Sequence, residues 1–465
     1  MTEKHSLDGS ILNQYDIRGI VNKTLSELDS YFIGRSYGTL LRRKYNKKTC
    51  AVGRDGRHSS ERYSEKLIEG LSDSGLDIVD IGLASTPMLY FAVQFLKMDS
   101  GVVVTASHNP PEYNGFKMLL NSGPIWDMDI KQLGVYSASG DLERATGSAR
   151  AQNIKQDYLK FIFGILDKNV RSELKVAWDC GNGAMASIMG DVAKGLPGKH
   201  FVICDTVDGD FPNHSPDPSI EKNLEMLKAE VIKNKCDFGI GFDGDGDRVG
   251  LLDDEGFFIY GDQLLAILAR DFLKQNPGEK VMSEVKASKV LYDDIAKHGG
   301  IPFMWMAGHS SQKTKMKADN IKLAGETSGH IFYGENHNYD DALYASLKLM
   351  NFISRDNLKL SKIRKDFPKT YSTKEIRVHA GDVRKFEVIR EIIARVRQSG
   401  KNFIDVDGLR VESGNGWWLA RASNTLPEIT TRCEAMTEEG LRACRAELRK
   451  QLNDSGLDIN PDEDG

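Results

Sequence analysis

Three times in its first 330 residues the chain repeats one order of features. A short apolar run passes through a loop with Gly, Ser or Asp into a helix-like stretch, as in "KKTCAVGRDGRHSSERYSEKLIEGL", "ELKVAWDCGNGAMASIMGDVAKGL" and "GEKVMSEVKASKVLYDDIAKHGG". A second apolar run follows each ("LDIVDIGL", "HFVICDTV", "IPFMWMA"), and a third ends at a polar loop: "GVVVTASHNPPEYNG", "CDFGIGFDGDGDRVG" and "IKLAGETSGH". Identity among the three is too low to prove repetition. The shared order of strand, loop, helix and strand nevertheless points to three α/β modules of related topology with mixed sheets. Ligands in open α/β sheets gather beyond the carboxyl ends of strands, where the third loops fall.

Past about residue 368 the pattern changes. "STKEIRVHA", "KNFIDVDGLRVES" and "GWWLARAS" read as strands, with Asp407-Gly408 a hairpin signal, and two helical stretches, "DVRKFEVIREIIARVRQSG" and "TEEGLRACRAELRKQL", are interleaved. The expected organisation is an α/β module over 1–150, a second over 151–254, a third over 255–367, and a C-terminal α+β domain with an antiparallel sheet over 368–465, all around a central cleft.

Charged residues make up 28% of the chain and the formal charge is −5, so no basic footprint argues for nucleic acid. No run of about 18 apolar residues suggests a membrane span, and the polar start "MTEKHSLDGS" carries no targeting segment, so a cytoplasmic location is expected. Cys50, Cys180, Cys204, Cys236, Cys433 and Cys444 are dispersed and read as reduced thiols.

The loop "GFDGDGDRVG" places Asp243, Asp245 and Asp247 at alternate positions. Two carboxylates about 4 Å apart repel by roughly 4 kcal/mol at an effective dielectric near 20, so such a trio either splays into water or gathers round a cation. In an extended chain the three project to one side. Only oxygen is offered, which suits a hard cation, Mg²⁺ first. An EF-hand loop would need Gly at its sixth position, where Arg248 stands, and a bidentate acid at its twelfth, where Asp254 stands. A solvated acidic turn is the blander alternative.

In "TASHNPPEYNGFK" an apolar strand delivers Ser107 to a turn stiffened by Pro110 and Pro111, which suggests a presented rather than buried hydroxyl. His108 is a poor candidate for its base, because adjacent extended residues face opposite ways. For this loop alone a turn serine bonded to backbone is the simpler reading. Glu326, Ser328 and His330 of "GETSGH" alternate, giving one polar face suited to sugar hydroxyls or merely a half-exposed strand. Arg421, Ser423, Asn424 and Thr425 of "RASNT" offer donors that complement a phosphate dianion, and equally a capped turn.

Taken in order, "YDIRG", "VGRDGRHSS", "TASHNPPEYNGFK", "GFDGDGDRVG", "GETSGH" and "RASNT" resemble the α-D-phosphohexomutase superfamily, in particular its bacterial phosphomannomutase/phosphoglucomutase branch, over almost the whole chain. The resemblance implies reversible phosphoryl transfer between the 1- and 6-positions of a hexose phosphate, mannose or glucose, through a phosphoserine at Ser107. A hexose 1,6-bisphosphate is the implied intermediate and activator. Ser107, Asp243, Asp245 and Asp247 would hold Mg²⁺. Arg18, Lys117, Arg248 and His309 match basic catalytic positions, with the proton-moving group left open among Arg18, Lys117 and His309. Glu326 and Ser328 match sugar-binding positions, and Tyr15, Lys286, His330, Arg421, Ser423, Asn424 and Thr425 positions that hold the distal phosphate. Thr327 departs from the methionine common in the branch, and Ala307 and the "SSQ" before Lys313 are also unusual, which leaves the choice of sugar open. A phosphoglucosamine mutase, a metal-dependent sugar phosphatase and a non-enzymatic calcium- or sugar-phosphate-binding protein are the alternatives. A monomer or weak dimer is expected.

Overall fold

The computed structural model describes residues 4–168, 170–414, 416–423 and 427–457. The repeated sequence pattern becomes a repeated topology. In the first sheet the parallel strands Ser100–Val104, Thr49–Arg54 and Asp77–Leu83 lie side by side, the third in sequence beside the first, and Tyr113–Leu120 returns antiparallel next to Ser100–Val104. The second sheet has Phe238–Phe242, Lys175–Asp179 and Lys199–Ile203 in that relation, with Val249–Leu252 returning antiparallel. The third has Leu323–Gly325, Lys280–Glu284 and Ile301–Trp305, with Ile331–Tyr333 returning. Each polar loop therefore joins the third parallel strand to the antiparallel return. Ala149–Ala151 extends the first sheet and Phe258–Ile259 the second, a few residues past the cuts expected at 150 and 254.

The fourth sheet is antiparallel, running Tyr371–Ser372, Glu428–Ala435, Gly416–Ala422, Leu409–Ser413 and Phe403–Ile404, with Ile376–His379 also on Glu428–Ala435. The two expected helices are there, Arg384–Gln398 and Glu438–Asn453.

One continuous apolar cluster reaches from Ala51 and Leu89 through Trp178 and Phe242 to Leu265, Leu343 and Phe367, so the first three modules share a core. The C-terminal domain has its own, around Val388, Val411 and Trp418. The helix Thr86–Phe95 shows how local sequence fixes the geometry the loops need. Ser85 caps it by accepting the Met88 N–H, and Pro87 sits in its first turn, where no backbone donor is lost. That helix start abuts the aspartate loop of the next module, where the Thr86 N–H donates to the Asp245 carbonyl at 2.8 Å.

All six cysteines are buried free thiols. Among the described residues no helix is long and apolar enough to cross a membrane.

Candidate active site

Ser107 stands at the meeting point of the first and second polar loops. It is only 1% exposed, not presented to solvent, because the aspartate loop lies over it. Its Oγ donates to Asp243 Oδ2 at 2.7 Å. Its carbonyl approaches Gly244 so closely that a Cβ there would stand 2.3 Å away. Ser107 also has a left-handed backbone, φ 52°, which breaks the alternation assumed for an extended chain and brings His108 Nδ1 to 3.2 Å from Oγ. Of the hydroxyl's two contacts the one with Asp243 is the shorter.

The loop is held from beneath by Arg57, part of "VGRDGRHSS" but given no role by the sequence. Its buried guanidinium donates to the carbonyls of Ser107 (2.8 Å), Asn109 (2.6 Å), Pro110 (2.7 Å) and Tyr113 (3.1 Å), and it pairs with Asp55 at 3.1 Å. Four carbonyls of this turn, that of buried Ser107 among them, are thereby satisfied by one side chain.

Asp243, Asp245 and Asp247 converge, though not by extended alternation. The chain turns, with Gly246 at φ 78° and Asp243 Oδ1 accepting the N–H groups of Gly246, Asp247 and Arg248 at 3.0, 3.0 and 3.1 Å. All three side chains are fully buried, with oxygens within 4.8 Å of one another, which removes the solvated-turn reading. Lys117 Nζ donates to Asp245 at 2.6 Å and Asp247 at 2.5 Å, and Thr86 Oγ1 to Asp245 at 2.5 Å. Asp245 Oδ1 and Asp247 Oδ1 remain buried without a hydrogen-bond partner. Burial and then the charges of Asp245 and Asp247 push the Asp243 carboxyl far above the usual range. Asp245 is held low, against its burial, by Lys117. Unpartnered buried oxygens on crowded carboxylates are what a hard divalent cation relieves, so the donor set fits such an ion.

The basic groups divide by protonation. Lys117 is buried, yet its three aspartate neighbours push its ammonium well above the ordinary value, so it keeps its proton. Arg18, on Ile17–Ile20, donates to Asn109 Oδ1 at 2.5 Å and contacts Asp16, bracing the Ser107 loop. Arg248 keeps its charge through Asp243, which outweighs burial. His309 opens the helix His309–Asp319 after Gly308 at φ 109°, and burial followed by the Lys313 ammonium 3.4 Å from Nδ1 holds its imidazole neutral.

In the third loop Glu326 and Ser328 lie together, Ser328 Oγ donating to Glu326 Oε2 at 3.4 Å while the Gly308 N–H donates to Oε1 at 2.5 Å. The loop is a turn, closed by the Glu326 N–H on the His330 carbonyl at 2.9 Å, and the alternating face expected of it does not form. His330 is buried beside this turn. Arg248 Nε donates to its Nε2 at 2.9 Å, which places the ring proton on Nδ1, 2.8 Å from Asp340. His330 Nδ1 and both Asp340 oxygens are nevertheless buried without a hydrogen bond of good geometry.

Among the expected phosphate ligands, Tyr15 donates to the Ala307 carbonyl at 3.0 Å, Lys286 lies 3.6 Å from both Glu284 and Glu375, Arg421 pairs with Asp407 at 3.1 Å, and the Ser423 N–H donates to the Glu428 carbonyl at 2.8 Å. Asn424 and Thr425 lie outside the described residues. Sequence reading missed Thr86, Asp340 and Lys313 as well as Arg57. Lys313 is 2.5 Å from Asp340 and donates to Tyr90 at 2.9 Å, so a buried ionic chain runs from Arg248 through His330 and Asp340 to Lys313. The spacing of Lys313 four residues after His309 on a helix was the available signal.

A buried serine against a cluster of three buried aspartates, with a polar loop at the equivalent place on each of three related modules, is the arrangement that comparison with known proteins assigns to a class, the phosphohexomutases. The chain matches the phosphoglucomutase/phosphomannomutase alpha/beta/alpha domain I at residues 9–133, domain II at 156–256, domain III at 260–371 and the C-terminal domain at 372–451. It belongs to the phosphoglucomutase/phosphomannomutase family. It is 39% identical over 448 residues to the phosphomannomutase/phosphoglucomutase of Pseudomonas putida, covering 96% of each chain. It is 38% identical over 441 residues to the phosphoglucomutase of Neisseria gonorrhoeae, covering 94% of this chain and 95% of the other. The crystal structure of a phosphoglucomutase/phosphomannomutase family protein from Burkholderia thailandensis superposes with a TM-score of 0.91 at 33% identity, covering 97% of this chain and all of that one.

Proposed function

We propose that this protein interconverts hexose 1-phosphate and hexose 6-phosphate, with mannose, glucose or both as the sugar, through phosphorylated Ser107 and a hexose 1,6-bisphosphate. The observation that carries this is the Ser107 hydroxyl 2.7 Å from Asp243, beside two buried aspartate oxygens with no partner. Asp243, Asp245, Asp247 and an oxygen on Ser107 would hold Mg²⁺. When bound, the ion stabilises negative charge on the phosphoryl group.

The rest falls to the chain's own residues. The phosphoryl group passes from Ser107 to the free hydroxyl of the bound monophosphate, forming one P–O bond as the serine bond breaks. The bisphosphate turns over, and the other phosphoryl group returns to Ser107. The attacking hydroxyl must lose a proton, and we assign its reception to His309, the neutral imidazole of the basic set. Lys117 and Arg248 stay charged and, with Arg18, act as electrostatic clamps. Glu326 and Ser328 take sugar hydroxyls. Lys286 and Arg421, with Tyr15, Ser423, Asn424 and Thr425, take the phosphate that is not reacting. Relatives named for mannose and glucose favour those sugars over glucosamine. We further assign a cytoplasmic monomer or weak dimer, a location with which six buried free thiols accord.

Ser107→Ala, assayed on glucose and mannose 1-phosphates with 1,6-bisphosphate present, should lose nearly all mutase activity. Activity at the wild-type level would remove the phosphoserine step. Inorganic phosphate released faster than isomerisation would instead favour a phosphatase.

A further inference from the structure

Glu284 ends the strand Lys280–Glu284, 1% exposed, and its two carboxylate oxygens face different parts of the site. Oε1 accepts both the backbone N–H (3.0 Å) and the hydroxyl (2.5 Å) of Thr327, the residue between Glu326 and Ser328 in the sugar loop. Oε2 lies 3.6 Å from Lys286 Nζ. The Thr327 hydroxyl makes a charge-assisted hydrogen bond to Glu284.

We propose that Glu284 is a positioning residue with two separate tasks, holding the sugar loop through Thr327 with one carboxylate oxygen and loosening the grip on the distal phosphate through Lys286 with the other. One oxygen fixes the loop that carries Glu326 and Ser328. The other competes with the incoming phosphate for Lys286, so that this phosphate is held loosely enough for the bisphosphate to leave and turn. Two further observations fit. The Glu284 carboxylate stays ionised despite its burial, because Lys286 and the two Thr327 donors stabilise its charge. That charge in turn acts on Glu326, whose carboxyl is raised by burial first and by Glu284 second, so the sugar loop senses Glu284 electrostatically as well as mechanically. The proposal rests on Lys286 being a phosphate ligand.

Three variants separate the two functions of the carboxylate, read by kcat/KM on glucose 1-phosphate and by the competitive inhibition constant of inorganic phosphate. Thr327→Val removes the hydroxyl at nearly constant volume and should lower kcat/KM about tenfold, the scale of a hydrogen bond to a charged acceptor, with phosphate inhibition unchanged. Glu284→Gln keeps an acceptor for Thr327 but deletes the charge, so phosphate should inhibit several-fold more tightly while kcat falls. Glu284→Asp keeps the charge and shortens the arm, so phosphate inhibition should stay near wild type while kcat/KM falls as in Thr327→Val. A merely structural role would move both readouts together, towards weaker phosphate binding and slower turnover. That pattern, or wild-type kcat/KM in Thr327→Val, overturns the proposal. If Glu284→Gln fails to fold, Thr327→Val and Glu284→Asp decide the sugar-loop task, and Lys286→Ala, which should weaken phosphate inhibition, decides the phosphate task. Lys286→Ala tests the underlying assignment: unchanged phosphate inhibition there would refute Lys286 as a phosphate ligand whatever the other variants show.

Discussion

Gly244 and Arg57 show how much of the chemistry depends on residues that touch no substrate. Gly244 has ordinary backbone angles, so its constraint is space alone. A methyl group there would meet the Ser107 carbonyl at 2.3 Å and push the two loops apart. Since a displacement of about 1 Å can cost on the order of 10²-fold in rate, Gly244→Ala should lose about that factor in kcat with little change in melting temperature. Arg57→Met leaves the buried Asp55 carboxylate and the Ser107 carbonyl without the guanidinium, and should cost about 3–5 kcal/mol in a denaturation experiment as well as most of the activity. At this scale the sequence was informative where chemistry restricts the residue type. Three alternating aspartates, the serine loop and Glu326 were legible because a cation or a sugar accepts few alternatives. Arg57 was not, since an arginine that binds carbonyls looks like one that faces water. The contacts of His330 with Arg248 and Asp340 were invisible as well, because they come from segments remote in sequence.

Strands and helices bring a second kind of dependence, on what their ends are tied to. The end of Lys175–Asp179 is bound to the following segment by His214, whose Nε2 is 3.0 Å from Asp179 and whose Nδ1 donates to the Ser215 carbonyl at 2.9 Å. Burial opposes its charge, but the bonds to Asp179 and Cys204 raise its pKa to about 10. A histidine whose folded value lies above its unfolded value of about 6.5 contributes stability that is fully present below pH 6.5 and lost as pH rises towards 10. His214→Gln should therefore cost about 1–2 kcal/mol at pH 6, with the difference from wild type shrinking steadily to pH 10 in paired unfolding curves. Elements themselves were legible from periodicity, including both C-terminal helices. The hairpin marked by Asp407-Gly408 does form, with Phe403 opposite Val411 and Gly408 at φ 76°. What periodicity could not show is that Asp407 also accepts the Ala307 N–H at 3.1 Å and pairs with Arg421, so that a turn residue joins two domains.

In the whole molecule, three modules welded through one apolar core face a fourth domain with a core of its own, and the joint between them lies beside Lys286, the proposed phosphate ligand. Arg410, fully buried and 3.8 Å over the ring of Trp417, donates to the carbonyls of Val285 and Ala287, and Arg432 donates to that of Lys286. Three consecutive carbonyls around a proposed phosphate ligand are thus held by arginines of the last domain. Arg410→Met should raise KM for hexose phosphates about tenfold, on the scale of a hydrogen bond to a charged group, and speed amide exchange in residues 372–451 more than in the first three modules. The sequence by itself determined the modules, their order and the residue types at the ends of their strands, because periodicity and ligand chemistry are local properties of a chain. Only the tertiary structure decided which oxygens lack partners, which histidine is uncharged and which cations are already paired, because each of these depends on burial and on neighbours brought in from other modules.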